Sequence, residues 1–155
     1  MNTQRASLRR WSFGVLATVI AAFTLAAQAE EVKVTLSGEN EVPPVQTKAS
    51  GSGTIAINQD MTVSGSVTTT GIVGTMAHIH LAAQGVNGPV IIPLSKNGDN
   101  GWTVPPGSKL TDAQYQAYKA GELYVNVHSD AHKGGEIRGQ LPAPMAMAPA
   151  KNMGY

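Results

Sequence analysis

Between Glu31 and Leu141 apolar and polar residues alternate in short runs, cut by Gly, Pro, Asn and Asp. "VKVTLSG" sets Val32, Val34 and Leu36 against Lys33 and Thr35. "GTIAIN" and "MTVSGSVTTT" are rich in Thr, Val and Ile and meet at "NQD", a hairpin turn in composition. "MAHIHLA", "PVIIPL", "ELYVNVHS" and "GEIRGQL" follow. Period-two alternation with β-branched enrichment predicts strands. Their recurrence about every ten residues predicts an all-β domain, either an antiparallel β-sandwich or a barrel-like Greek key. One short helix interrupts the pattern at about 111–120. "LTDAQYQAYKAG" offers Thr111 as cap, Asp112 in the first turn and Gly121 as the stop.

Strand parity sorts the histidines. In "MAHIHLAAQG" His78 and His80 take one face and Ile79 and Leu81 the other, because successive side chains alternate. Residues two apart on a strand lie ~6.5–7 Å from each other, so both imidazoles can reach one ion. In "LYVNVHS" the same rule places Tyr124, Asn126 and His128 opposite Leu123, Val125 and Val127. If the two strands are neighbours, three imidazoles meet. Imidazole suits copper(II) and zinc(II), so His78, His80 and His128 are the candidate metal ligands. A His-x-His pair also serves as a surface pair or as part of a hydrogen-bonded network, and both uses stay open at this point.

Other polar residues stand near this constellation. Glu41, in "NEVPP", is a candidate fourth ligand or an acceptor that orients an imidazole. Asn126, Glu136 and Arg138 are candidates for a supporting network. Glu136, Arg138 and Gln140 share a strand face, and Arg138 is expected to pair with a carboxylate such as Glu41. "NEVPP" reads as a polyproline-like bend, and "GVNGP" and "KNGDNG" as turns. His132, in "SDAHKGG", falls in a turn-like segment. Trp102, Tyr115, Tyr118 and Tyr124 read as packing residues. The chain lacks Gly-x-Ser-x-Gly, His-Glu-x-x-His and any cysteine nucleophile, and no pair of acids stands out as a glycosidase site.

The ends of the chain bear on location. Residues 1–29 join Arg5, Arg9 and Arg10 to an apolar run and to "AQA", the pattern of a secretory signal peptide cut after Ala29. The mature protein is thus expected to be periplasmic or secreted, with no membrane span. Cleavage removes three of eleven basic residues and leaves eight against ten acidic ones. That balance, without a basic run, does not suit nucleic acid. With no cysteine in the chain, export brings no disulfide. Residues 142–155, rich in Ala, Pro and Met, read as a disordered tail; Met145, Met147 and Met153 carry soft thioethers.

Taken in order, "LSGENEVPPVQTKASGSG", "AHIHLAAQGVNGPVIIPL" and "AGELYVNVHSDAHKGGEIRGQL" resemble the CHRD domain, the module repeated in chordin and found singly in exported bacterial proteins. The resemblance spans about Val34 to Leu141. It implies an all-β extracytoplasmic domain and names no biochemical activity. Three functions follow. The first is a non-catalytic exported module over residues 30–141 that binds a protein or polymer. The second is a periplasmic protein that binds copper or zinc. The third is a metalloenzyme with a loose likeness to Cu,Zn superoxide dismutase, from which this chain departs in lacking a cysteine pair and an Asp-bearing zinc loop.

Overall fold

The structure is a computed structural model and describes residues 30–144. The leader over 1–29 and the tail methionines lie outside those residues. Nine strands are described: β1 (Glu30–Ser37), β2 (Ser50–Ile57), β3 (Val63–Thr70), β4 (Gly74–Leu81), β5 (Val90–Pro93), β6 (Ser95–Asn97), β7 (Gly101–Thr103), β8 (Leu123–Ser129) and β9 (Ile137–Leu141). They form one sheet in the order β5-β4-β8-β9-β1-β2-β3-β7-β6.

The two ends of that order are the two halves of one stretch of chain. β5 and β6 are separated only by Leu94, so residues 90–97 pair with β4 on one side and with β7 on the other. The Leu94 amide continues the first pairing by donating to the Ala77 carbonyl at 2.9 Å. Lys96 then reaches across, its Nζ donating to the Gly74 carbonyl at 2.9 Å. The sheet thereby becomes a nearly closed barrel, the second of the two architectures expected. Near-closure leaves only short unpaired edges, on β5 and β6, where an open sheet would present longer ones. "PVIIPL" is accordingly two short strands with a pivot. "KNGDNG" holds the turn between β6 and β7, and Trp102 sits in the middle of a strand only three residues long.

The interior follows from alternation. Val32, Val34 and Leu36 of β1, Ile55 and Ile57 of β2, and Val63 and Val67 of β3 are buried. Ala77 and Ile79 of β4, Leu123, Val125 and Val127 of β8, and Ile137 and Leu141 of β9 join them in one cluster with Trp102 and Leu94. The helix α1 (Asp112–Lys119) starts at Thr111, whose hydroxyl accepts from the Gln114 amide while the Gln114 side chain accepts from the Thr111 amide. It stops at Gly121, whose φ of +75° suits the left-handed conformation that ends helices. Among the described residues no helix is long and apolar enough to cross a membrane.

One stretch adds detail to its sequence reading. "NEVPP" continues a short 3-10 helix at Gly38–Asn40, and the Val42–Pro43 peptide is cis. Glu41 itself is extended, with φ −69° and ψ 161°. The chain there turns back over the outer surface of the sheet, and the Asn87 side chain ties it down by donating to the Val42 carbonyl at 2.8 Å.

The barrel closure depends on Leu94, which is buried where the two half-strands meet. Leu94→Ala is expected to lower stability by about 2–4 kcal/mol, the range for emptying a buried leucine site. Urea unfolding followed by circular dichroism would show it as a lower midpoint with unchanged slope. A change under about 0.5 kcal/mol would mean that the closure tolerates the gap.

Candidate functional site

Strand β8 is buried along its whole length, on both faces. Its inner face is apolar. Its outer face carries Tyr124, Asn126 and His128, all buried. On one flank β4 sets Met76 against His128, His78 against Asn126 and His80 against Tyr124. On the other flank β9 sets Arg138 against Asn126 and Gln140 against Tyr124. The outer surface of these three strands is therefore a grid of polar side chains. Loops spanning 38–49, 82–89 and 130–136 fold over it, as their hydrogen bonds to the grid show.

The three histidines meet in this grid. One ring nitrogen from each lies within 4.8 Å of the others. His78 Nδ1 and His128 Nε2 are 3.0 Å apart. Two of the three rings are held by loop carbonyls. His80 Nδ1 donates to the Gly88 carbonyl at 3.0 Å, and His128 Nδ1 donates to the Lys133 carbonyl at 2.9 Å. A carbonyl oxygen can only accept, so each of these Nδ1 atoms carries the proton and each Nε2 keeps its lone pair. Those Nε2 atoms are the donor atoms the site offers. That of His80 is buried with no hydrogen-bond partner among the described residues. His128 Nε2 accepts from His78 Nδ1–H, which leaves the lone pair of that ring on His78 Nε2.

Electrostatics keep the imidazoles neutral. Burial, then the neighbouring His128 and His80, push His78 down to about 4. Burial also lowers His80, against the Gly88 carbonyl that favours its charged form; His128 and Arg138 lower it further. His128 is lowered by burial, against the Lys133 carbonyl. At neutral pH all three rings thus hold lone pairs rather than extra protons.

Among the described residues Arg138 meets neutral acceptors, where a carboxylate such as Glu41 was expected. It is 1 % exposed, and its guanidinium donates to the Asn87 side chain at 3.2 Å and to the Val86 carbonyl at 2.8 Å. Its Cζ lies 3.4 Å from the centre of the Tyr124 ring, and the His80 ring stacks on Tyr124 at 4.7 Å and 9°. Tyr124, expected to be a packing residue, thus forms the middle of an imidazole–phenol–guanidinium stack. Gly88 clamps it, its amide donating to the Tyr124 hydroxyl at 3.2 Å.

Glu41 reaches the grid but meets the amide of Asn126, whose Nδ2 donates to its Oε1. Loop carbonyls, not Glu41, orient the imidazoles. Burial raises the Glu41 carboxyl to about 7, opposed by the charge of Arg138 and by the Val42 amide. Glu136 accepts from the hydroxyls of Thr47 and Ser129 and so ties two loops together. Gly135, at φ +129°, covers the Asn126–Glu41 pair; a Cβ there would stand 2.6 Å from Glu41 Oε1 and against Asn126 Nδ2. His132 lies in a turn, exchanging backbone hydrogen bonds with Ser129, outside the trio. A cleft of about 320 Å³ opens beside the grid, lined by Glu39, Asn40, Glu41, Gln84, Arg138 and Gln140 among others.

Compared with known proteins, the family model for the CHRD domain matches residues 32–141, most of the chain and the whole barrel but for its first two residues. No curated protein and no solved structure matches the chain significantly.

The Glu41 carboxyl makes stability depend on pH with a definite sign. Its value is higher in the folded protein, about 7, than the ordinary 4.5. The stability it contributes is complete below 4.5 and lost as pH rises through 7. Glu41→Gln keeps the acceptor for Asn126 without the ionisation. The variant's melting temperature is therefore expected to gain on that of the wild type as pH goes from about 4.5 to about 8, both metal-free. Parallel curves would show that Glu41 ionises freely in the folded state.

Proposed function

The chain belongs to the CHRD domain family, and we propose that it is an exported, non-catalytic β-module whose ligand is a transition-metal ion, copper or zinc, held by His78, His80 and His128. The convergence of three neutral imidazoles, two with their lone pairs fixed by loop carbonyls, is the observation that carries this reading. Carbonyls that fix the tautomer of a ligating histidine are a recurrent feature of metal sites. Nitrogens bonded at ~2.0–2.1 Å around a tetrahedral ion sit roughly 3.3 Å apart. The His78–His128 separation of 3.0 Å is close to that, so binding asks that the proton His78 shares with His128 leave Nδ1 and that the three rings draw together from the 4.8 Å that now bounds their spacing. Export is supported by the leader pattern over residues 1–29.

A second reading rests on a different feature. The cleft lined by Glu41, Arg138 and Gln140 is polar and open on one side, which suits a polymer or protein segment rather than a metal. The enzyme reading keeps only the loose likeness to Cu,Zn superoxide dismutase.

Elemental analysis of the purified mature protein, followed by titration with Cu(II), Cu(I) and Zn(II), tests the proposal. One ion per chain is expected, bound at micromolar concentration or below. His78→Ala, His80→Ala and His128→Ala should each weaken it at least about tenfold, since even supporting residues of metal sites cost that much. Near-native circular dichroism of the variants would separate ligand loss from unfolding. No binding by the wild type at micromolar metal would overturn the reading and leave the cleft as the site to pursue. Superoxide dismutation by the copper-loaded protein would move it to the enzyme class.

A further inference from the structure

The grid holds one more potential donor atom. Met76 is the outer-face residue of β4 that precedes His78 by two, and it is paired directly across from His128. Residues opposite each other in an antiparallel pair have Cβ atoms about 4.5–5.5 Å apart, and residues two apart on one strand lie ~6.5–7 Å apart. The flexible Met76 side chain therefore starts within reach of the space between His78 and His128. It is also 48 % exposed, one of few large apolar side chains left open among the described residues. Its inward neighbour Ala77 is buried in the core. No packing need accounts for a large, soft side chain at this position of the outer face.

The charge around the site points the same way. All three imidazoles are neutral ligands, and the thioether of Met76 would be a fourth. The acidic groups nearby are committed elsewhere: Glu136 to Thr47 and Ser129, and Glu41 to Asn126. The guanidinium of Arg138 is fixed on the far side of Tyr124 from the His80 ring. A partly buried site with neutral donors and a neighbouring cation disfavours a second positive charge on the ion. Thioether sulfur adds a preference for soft Cu(I) over Zn(II).

We propose that Met76 is a fourth ligand and makes the three-histidine site selective for Cu(I). The inference rests on the metal-binding reading and adds the identity of the ion. Met76 sits where the grid opens to solvent, so its sulfur is both ligand and first point of contact for an incoming ion.

The test compares the wild type, Met76→Leu and a tail variant carrying Met145→Leu, Met147→Leu and Met153→Leu. Leucine keeps the apolar volume and removes the sulfur. Titrations with Cu(I) under reducing anaerobic conditions and with Zn(II) are paired with X-ray absorption at the copper edge. The expected result is a sulfur scatterer beside the nitrogens in the wild type and the tail variant, and its loss in Met76→Leu. Cu(I) affinity should fall by about tenfold or more in Met76→Leu, with Zn(II) affinity within about twofold of wild type. Histidine-dependent metal binding with unchanged Cu(I) affinity in Met76→Leu would overturn this inference alone. Sulfur scattering that survives Met76→Leu but vanishes in the tail variant would overturn it in favour of the tail thioethers. A wild type that binds no metal would overturn both it and the reading beneath it.

Discussion

Strand β8 is covered on both faces, and that double burial organises the rest of the domain. A strand buried on one face can leave its other face to water. Here the outer face carries Tyr124, Asn126 and His128, whose polar atoms lose their hydration when the loops close over them. Each such atom must then find a partner in the protein or lose on the order of 1–3 kcal/mol. The partners come from loops: Lys133, just beyond the strand, for His128, and Glu41 and Gly88, distant in sequence, for Asn126 and Tyr124. The loops are thus ordered by the needs of the strand they cover. The same contacts fix the tautomers of the histidines, so the structural role and the chemical readiness of these rings have one origin.

The grid also separates its charges in a consistent way. Its fixed cation, Arg138, is satisfied by carbonyls and by the face of Tyr124. A guanidinium held by neutral acceptors keeps its full charge and acts on its neighbours through space. It lowers the pKa of His80 and restrains the rise of Glu41. Desolvation is the larger influence on both, and it works in opposite directions on the two kinds of group. It keeps the imidazoles unprotonated and favours the protonated carboxyl. Around neutrality the imidazoles therefore offer lone pairs while the Glu41 carboxyl stands near its midpoint.

Much of the fold was legible from period two. The strands around Val32, Ile55, Val67, Ile79, Val125 and Ile137 and the helix capped by Thr111 follow from alternation and capping chemistry. The sharing of a face by His78 and His80, and by Asn126 and His128, needed only strand parity. The adjacency of β4 and β8 did not follow, because it is a pairing of segments some fifty positions apart and no local pattern encodes it. The division of 90–97 at Leu94 was hidden for a similar reason: "PVIIPL" has the composition of one strand, and only closure gives its two halves different neighbours. Arg138 was misread in its partner. Charge complementarity favoured Glu41, but Glu41 meets the Asn126 amide while carbonyls of the 82–89 loop stand over the guanidinium. Tyr124 had the right parity all along. Its residue type, read alone, suggested packing.

The placement of the grid outside the barrel has a further consequence. An interior site in so small a barrel would displace core side chains, and each buried aliphatic lost would cost about 2–5 kcal/mol of stability. On the outer face the barrel keeps its apolar filling and acts as a rigid floor, while loops supply the covering layer. Side chains on such a floor are set by the sheet register to within a fraction of a residue spacing. The loops add only hydrogen bonds and burial. The family-matched region, residues 32–141, contains both the floor and the loops described over it.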